Sequence, residues 1–332
     1  MKAWRLHEQG EPRDVLVLED VPAPEPGPGQ VMVRVLAAAA NFPDALMCRG
    51  LYQVRPPLPF TPGIEVCGEV VAVGPQVTGV RPGERVIGGT ALPSGGFAEF
   101  AVMDASNVLP APEALDDAEA ACFFITYQTG WFGLHRRARL ASGETLLVHA
   151  AAGGVGSGAV QLGKAAGAKV IGVVGGERKA AAARALGADV VIDREREDFV
   201  AIIKEVTGGR GADVIYDPVG GQAYERSVKC IAFEGRILVV GFASGHIPSA
   251  PLNHALIKNY SIVGLHWGLY QSKDPKAVRD CHDRLCELAA TGVIRPLVSE
   301  RLGLADVREG VQRLADGTTI GRIAFLPGRD SS

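Results

Sequence analysis

Two rhythms of apolar and polar positions divide this chain. Up to Asp116 the apolar runs are short, and glycines and prolines interrupt them at close intervals. VMVRVLAAAAN (Val31 to Asn41) predicts a strand after the turn-rich APEPGPGQ, and IEVCGEVVAVG (Ile64 to Gly74) predicts another. RPGERVIGG reads as a turn followed by a strand. Such punctuation belongs to a barrel or a sandwich. From Asp116 the apolar positions fall at helical intervals through AEAACFFITYQTGWFGLHRRA.

A regular alternation follows. ETLLVHA predicts a strand, GAVQLGKAAG a helix, AKVIGVVG a strand and ERKAAAARALG a helix. ADVVID, ADVIYDPVG, GRILVVGFASG and YSIVGLHWG continue the strands, with DFVAIIKEVTG and ERSVKCIAFEG as helices among them. Strands that are apolar throughout and separated by helices make a parallel sheet covered on both faces. VRDCHDRLCELAATG then predicts a helix ahead of a last short strand, GRIAFLP. The predicted class is α/β, a doubly wound parallel sheet joined to a β-rich part.

Composition narrows the function. With 332 residues, 47% hydrophobic and 21% charged, the chain can build two cored domains. A formal net charge of -3 and the lack of a basic cluster argue against nucleic acid as a partner. No apolar run approaches the ~20 residues that span a bilayer. MKAWRLHEQGEP has no apolar centre of a secretion signal. The expectation is a cytoplasmic protein with no membrane partner. The cysteines at 48, 67, 122, 230, 281 and 286 form no C-x-x-C pair, so reduced and mostly buried thiols are expected. Cys281 and Cys286 are not expected to share one helix face.

The candidate chemistry starts in VHAAAGGVGSG. Ala150-x-x-Gly153-x-x-Gly156 lies directly after a predicted strand and opens a helix, the setting in which a glycine turn binds a dinucleotide. Ala150 stands where the usual fingerprint has its first glycine. Gly153 and Gly154 let the backbone approach a pyrophosphate, and Gly156 lets the helix pack close to the strand. Together with Ala152 and Val155 they offer backbone N–H groups at the positive end of a helix.

About 20 residues past such a turn, a carboxylate grips the ribose in NAD-binding chains. Here VVGGERK puts Gly175 and Gly176 at that place, with Arg178 and Lys179 next. Cations in place of an acid predict a 2′-phosphate at Gly175 and Lys179, and hence NADPH. The competing reading makes Arg178 and Lys179 solvated charges of a first helical turn, although the helix dipole disfavours cations there. Phe242, Ser244, His266 and Trp267 follow the last two predicted strands, where an open α/β sheet places its ligand. His149 reads as a hydrogen-bonding residue at a strand end, and Glu65 as a structural carboxylate.

NFPDALMCRGLYQ, VHAAAGGVG, YDPVGG and SIVGLHWG resemble, in this order, the zinc-free quinone oxidoreductase branch of the medium-chain dehydrogenase/reductase superfamily. The resemblance spans essentially the whole chain. It implies a β-rich, GroES-like catalytic domain (1–124 and 268–332) and a Rossmann NADPH-binding domain (125–267). It places Asn41 against the nicotinamide, with Thr129 facing the same ring from a helix start. Tyr52 would give a hydrogen bond to the substrate oxygen. Val219, in YDPVGG, joins the cofactor contacts. Arg194 falls where relatives can carry a tyrosine near the adenosine phosphate. The family's second tyrosine, six residues before Tyr52, is Leu46 here, which weakens a two-tyrosine mechanism.

Zinc alcohol dehydrogenases of that superfamily hold a catalytic metal with a Cys, a His and a Cys or Asp. The matching positions are Asn41, Ile64 and Ile125. Hydrocarbon cannot ligate zinc, and an amide is a poor ligand. SGGFAEFAVMDASNV also lacks the four-cysteine structural lobe. Hydride delivery to a simple ketone makes an alkoxide, which needs a Lewis acid or a good proton donor. A quinone or enone gives a delocalised anion that needs less help. An NADPH-dependent, zinc-independent reductase of a quinone or enone is therefore expected. The alternatives are an enoyl- or acryloyl-type C=C reductase, and a non-enzymatic NADPH-binding, structural or RNA-associated crystallin-like protein. A homodimer is expected, because YSIVGL would end the sheet as an apolar edge strand.

Overall fold

One parallel sheet holds all the strands of the alternation in this computed structural model. Across it lie Val190–Asp193, Lys169–Val174, Thr145–His149, Ala212–Asp217, Ile231–Val239 and Ser261–Gly264. Numbered along the chain, this is the order 3-2-1-4-5-6 of a doubly wound dinucleotide-binding sheet. Val148 pairs with Gly172 on one side and Tyr216 on the other, so the strand before the glycine turn is central. Leu146, Leu147, Val214 and Ile215 are wholly buried, as strands covered on both faces require. The helix Phe199–Val206 starts where Asp198 accepts a hydrogen bond from the Val200 N–H, and it buries Phe199 and Ile203. These elements belong to the unit Thr126–Asp274.

One predicted helix is displaced. The helix expected over ERSVKCIAFEG is Gly221–Ser227, and Ile231 already begins a strand. Gly220 (φ +68) and Gly221 (φ +51) make the turn that starts the helix early. Ile231 then pairs with Ala212 and Arg236 with Val214, so Ala232 to Gly235 stand opposite Asp213 alone. Glu234 takes a left-handed φ of +57 within this bulge. A bulge breaks the two-residue period, which is why the strand does not show in the sequence. The last strand is also shorter than YSIVGLHWG: it ends at Gly264, and Trp267 caps the short helix Gly268–Lys273.

The other unit comprises Met1–Ile125 and Pro275–Ser332, with residues 1–329 described. Its main sheet runs Val298–Gly303, Arg322–Leu326, Gln30–Ala39, Glu65–Val73, Arg85–Gly89 and Leu109–Pro110. Phe100–Asp104 also pairs with Gln30–Ala39. Lys2–Leu6 and Leu16–Asp20 form a two-stranded sheet. Along Gln30–Ala39, Val31, Val33, Val35 and Ala37 are buried while Arg34 points out, the period of two that the sequence displays. Its end leads directly into the helix Phe42–Cys48, with proline in the first turn. The helix Val307–Ala315 buries Val307 and Val311 in a core with Trp4, Phe60 and Phe325. Ala324 and Phe325 pair with Ala39 and Ala38, which brings Arg322–Leu326 alongside the strand that ends just before Asn41.

Candidate active site

The central strand ends at His149, and the chain turns at once into the helix Gly154–Ala165. Ala150 occupies the left-handed region at φ +50. That conformation costs an L-residue roughly 1–2 kcal/mol, so the fingerprint's first position does demand a glycine-like backbone. A Cβ on Gly156 would lie 2.1 Å from the Ala150 carbonyl oxygen, and a Cβ on Gly153 would lie 3.1 Å from it. Ala151 and Ala152 are buried beneath the turn. The first-turn N–H groups at Gly154, Val155 and Gly156 lack intrahelical acceptors, and the helix dipole adds positive charge there. The result is a bare anion cradle. His149 is buried with Nε2 2.8 Å from the Ser227 hydroxyl, and burial holds its pKa below the usual value. It ties the strand end to a helix.

A second cluster lies one and two strands over. Gly175 and Gly176 follow Lys169–Val174, and Arg194 follows the neighbouring Val190–Asp193. A Cβ on Gly175 would come within 3.2 Å of Arg194 Nε and 3.0 Å of Glu195 Oε1. Lys179 joins them: burial lowers its pKa first, then the charge of Arg194, while Glu195 opposes. Asp193 Oδ1 accepts the N–H groups of Gly176 and Glu195 at 2.9 and 3.1 Å, bracing both loops. Gly175, Lys179 and Arg194 are thus brought together. Glu195 was passed over in the sequence; its only signal was its place after a strand end.

Val219, Phe242 and Ser244 form a third group. Val219 donates its N–H to Asp217 Oδ1 (2.8 Å), and its carbonyl accepts the Ser244 N–H (3.0 Å). A Cβ on Gly220 would meet Phe242 Cδ1 at 2.7 Å. His266 and Trp267 follow Ser261–Gly264, the outermost strand of the same sheet. All these residues follow carboxyl ends of parallel strands, the edge where such sheets bind ligands. Thr129 departs from expectation. It lies in the second turn of the helix Phe124–Trp131, not at its start, because the helix begins at Phe124.

In the other unit, Asn41 precedes Phe42–Cys48 and is nearly fully buried. Its backbone N–H donates to Asp44 Oδ2 (2.9 Å), and Asp44 Oδ1 accepts from the N–H groups of Gly63 and Ile64. Burial pushes the Asp44 carboxyl up to about 7, against the pull of those donors. Asn41 Nδ2 donates to Glu65 Oε2 (3.0 Å) and to the Ala39 carbonyl (3.2 Å). Glu65 also accepts from the Ile125 N–H (2.7 Å) and from Arg322 Nη2 (2.6 Å). Tyr52 is half-buried beside a pocket that Leu6, Met47, Leu58 and Phe60 also line. Burial raises its pKa, with Asp44 adding to the effect.

Two domain families match the chain: an alcohol dehydrogenase GroES-like domain over residues 27–113 and a zinc-binding dehydrogenase domain over residues 154–283. A quinone oxidoreductase-like protein 2 homolog of Nematostella vectensis is 41% identical over 98% of this chain and 88% of its own length. The chain belongs to the quinone oxidoreductase branch of the medium-chain dehydrogenase/reductase superfamily. Among solved structures of this branch, Escherichia coli quinone oxidoreductase complexed with NADPH superposes with a TM-score of 0.91. It is 31% identical, and the match covers 98% of this chain and 100% of that one. A Pseudomonas syringae quinone oxidoreductase gives 0.91 at 33% identity, over 98% and 99% of the two chains.

The zinc in the superfamily's domain description does not fit the residues present. Asn41 offers at most an amide oxygen, a poor zinc ligand, and Ile64 and Ile125 offer only hydrocarbon. Cys122, near the third ligand position, is a buried thiol that burial pushes up to about 12, whereas a metal ligand must be a thiolate. Among the described residues, no group of three His, Cys, Asp or Glu is placed to hold a metal ion. The glycine turn does fit a dinucleotide: Gly153 and Gly156 let the Ala150 carbonyl pack against the helix start, whose first N–H groups lack intrahelical acceptors.

Proposed function

We propose that this protein is an NADPH-dependent, zinc-independent oxidoreductase that delivers hydride to a quinone or another electron-poor carbonyl. The bare cradle at Gly153 to Gly156, on the same sheet edge as the Arg194 and Lys179 cations, carries this reading. NADPH bound to the E. coli relative supports the choice of cofactor.

In this reading Ala152, Gly153, Gly154, Val155 and Gly156 hold the pyrophosphate, and Gly175, Lys179 and Arg194 receive the 2′-phosphate. Val219, Phe242, Ser244, His266 and Trp267 line the rest of the cofactor. Asn41 and Thr129 serve the nicotinamide. Bound NADPH supplies the hydride. The Tyr52 hydroxyl, kept protonated by its raised pKa, donates to the acceptor oxygen as negative charge grows there. A delocalised quinol or enol anion needs no more than such a donor. NADPH oxidation across quinones, enones and acyl thioesters tests the assignment, with quinones expected to react fastest. Faster turnover of an unsaturated acyl thioester would make the protein a C=C reductase. Tight NADPH binding without turnover of any acceptor would favour the non-enzymatic alternative.

Lys179→Ala is expected to lower the NADPH/NADH ratio of kcat/KM by roughly ten- to a hundredfold. A charge-assisted phosphate contact contributes about 1.5–3 kcal/mol, and about 1.4 kcal/mol is one decade. A wild type that prefers NADH would overturn the phosphate assignment. An unchanged ratio would move the contact to Arg194.

We also propose that two copies pair along Ser261–Gly264. This strand ends the sheet, and Leu256 (78% exposed) and Ile257 (75% exposed) stand on the preceding helix Leu252–Lys258. An open edge beside exposed apolar side chains favours a second copy. Sedimentation at micromolar concentration should give a dimer, and Ile257→Glu should shift it toward monomer. A wild-type monomer would refute the pairing.

A further inference from the structure

The buried pair of Glu65 and Arg322 joins two segments far apart in sequence and ends on Asn41. Glu65 is 0% exposed and Arg322 5%. Glu65 Oε2 is shared between Arg322 Nη2 and Asn41 Nδ2, and Oε1 takes the Ile125 N–H. The other charged or titratable groups here are Asp44 on the Phe42–Cys48 helix and Cys122, whose thiol meets Arg322. Both amide hydrogens of Asn41 therefore point inward, to Glu65 and to Ala39. Its Oδ1 is the end left for whatever binds there.

An amide is nearly two-fold in shape, so packing alone does not choose between its two ends. The partner chooses. An ionised carboxylate only accepts and must face Nδ2. A protonated carboxyl, or a glutamine, brings a donor that draws Oδ1 inward and turns Nδ2 outward, at the cost of the weaker, uncharged bond from Nδ2 to the Ala39 carbonyl as well. Burial favours the protonated form of Glu65, while the Arg322 charge and the donated hydrogen bonds favour the ionised one.

We propose that Arg322, acting through Glu65, is a positioning residue for hydride transfer: it keeps Glu65 an acceptor and so fixes the oxygen end of the Asn41 amide outward. This rests on the proposed function, in which Asn41 serves the nicotinamide. Arg322 touches no reacting atom. It is separated from Asn41 by 281 positions (322 minus 41), and its role follows from the bridge through Glu65.

The test pairs spectroscopy with kinetics on the full chain. Glu65→Gln with Arg322→Met removes both charges together and strands neither. The glutamine oxygen then takes the Ile125 N–H, and its NH2 faces Asn41. In the wild type the Asn41 side-chain amide protons should be protected from exchange. In the paired variant they should exchange at least about tenfold faster, as expected when both inward hydrogen bonds are lost. Kinetically, kcat should fall at least about tenfold while the NADPH Kd stays within about twofold, and adding Asn41→Ala should cost nothing more.

Arg322→Lys keeps the charge, and it should keep the protected amide and most of kcat. Should the paired variant not fold, this lysine variant decides alone: loss of both signatures would show that guanidinium packing, not charge, is what matters, and would overturn the proposal. Protected amide protons in the paired variant, or losses that multiply with Asn41→Ala, would overturn it too. A protected Asn41 amide in a wild type that reduces no acceptor would refute the proposed function and leave the positioning intact.

Discussion

Replacing Arg322 with Met alone should lower the unfolding free energy by about 3–5 kcal/mol, the usual result of stranding one partner of a buried ion pair. Glu65 would lose Arg322, the one cation that it contacts among the described residues. The deficit should depend on pH. In the variant, burial raises the folded pKa of Glu65 further above its unfolded value. A carboxyl raised in this way is stabilising below its unfolded pKa, and that contribution is lost as pH rises through the folded one. Urea unfolding should therefore show a smaller deficit at pH 5 than at pH 8. Pairing the change with Glu65→Leu should recover much of the loss, since apolar replacements of buried pairs are often neutral. A deficit below about 1 kcal/mol, in the range of exposed pairs, would mean that the pair is hydrated in solution.

Gly156→Ala should come next in size. The added Cβ would lie 2.1 Å from a backbone oxygen, so either the turn or the helix must move. The N–H groups would then leave the anion. NADPH affinity should drop by at least about a hundredfold, roughly 3 kcal/mol, as measured by the protein-fluorescence change on titration. Gly153→Ala offers an internal comparison. Its Cβ would sit 3.1 Å from the same oxygen, a strain that small shifts relieve, and a loss under about tenfold is expected. Equal losses at both sites would show that crowding at the cradle, not the close helix approach, controls binding.

The inner strands of the Thr126–Asp274 sheet were legible because they are apolar on both faces and the connections between them carry a helical period, whereas the helix Leu252–Lys258 ahead of the exposed edge strand was not read. The displaced helix near Cys230 marks the limit. A bulge around Glu234 erased the alternation, and Gly220 and Gly221 started the helix where the apolar spacing gave no sign. In the other unit the long strand Gln30–Ala39 displays its period, but Leu109–Pro110, of two residues, is too short to display one.

The site divides in the same way. The glycine turn and the cations near Gly175 are local patterns and could be read directly. Glu65 was readable as a structural acid, whereas its partner Arg322 stands 257 positions away. Arg322 lies in the plain strand RIAFL, and nothing local marks its charge as buried. Thr129 was placed from family likeness, and the register of its helix could not be read from that.

The position of Arg322, 257 residues after Glu65, also bears on how the protein is made. The Thr126–Asp274 segment is continuous and can begin to fold as soon as it leaves the ribosome. The segment before it cannot finish. Glu65 emerges 257 residues ahead of its counter-charge. At roughly 5–20 residues per second, that is a wait of about 13–50 s. During that interval the nascent chain carries a carboxylate whose native site is dry but whose partner does not yet exist. Asn41, made 281 positions before Arg322, therefore waits for that later segment before it acquires its final surroundings.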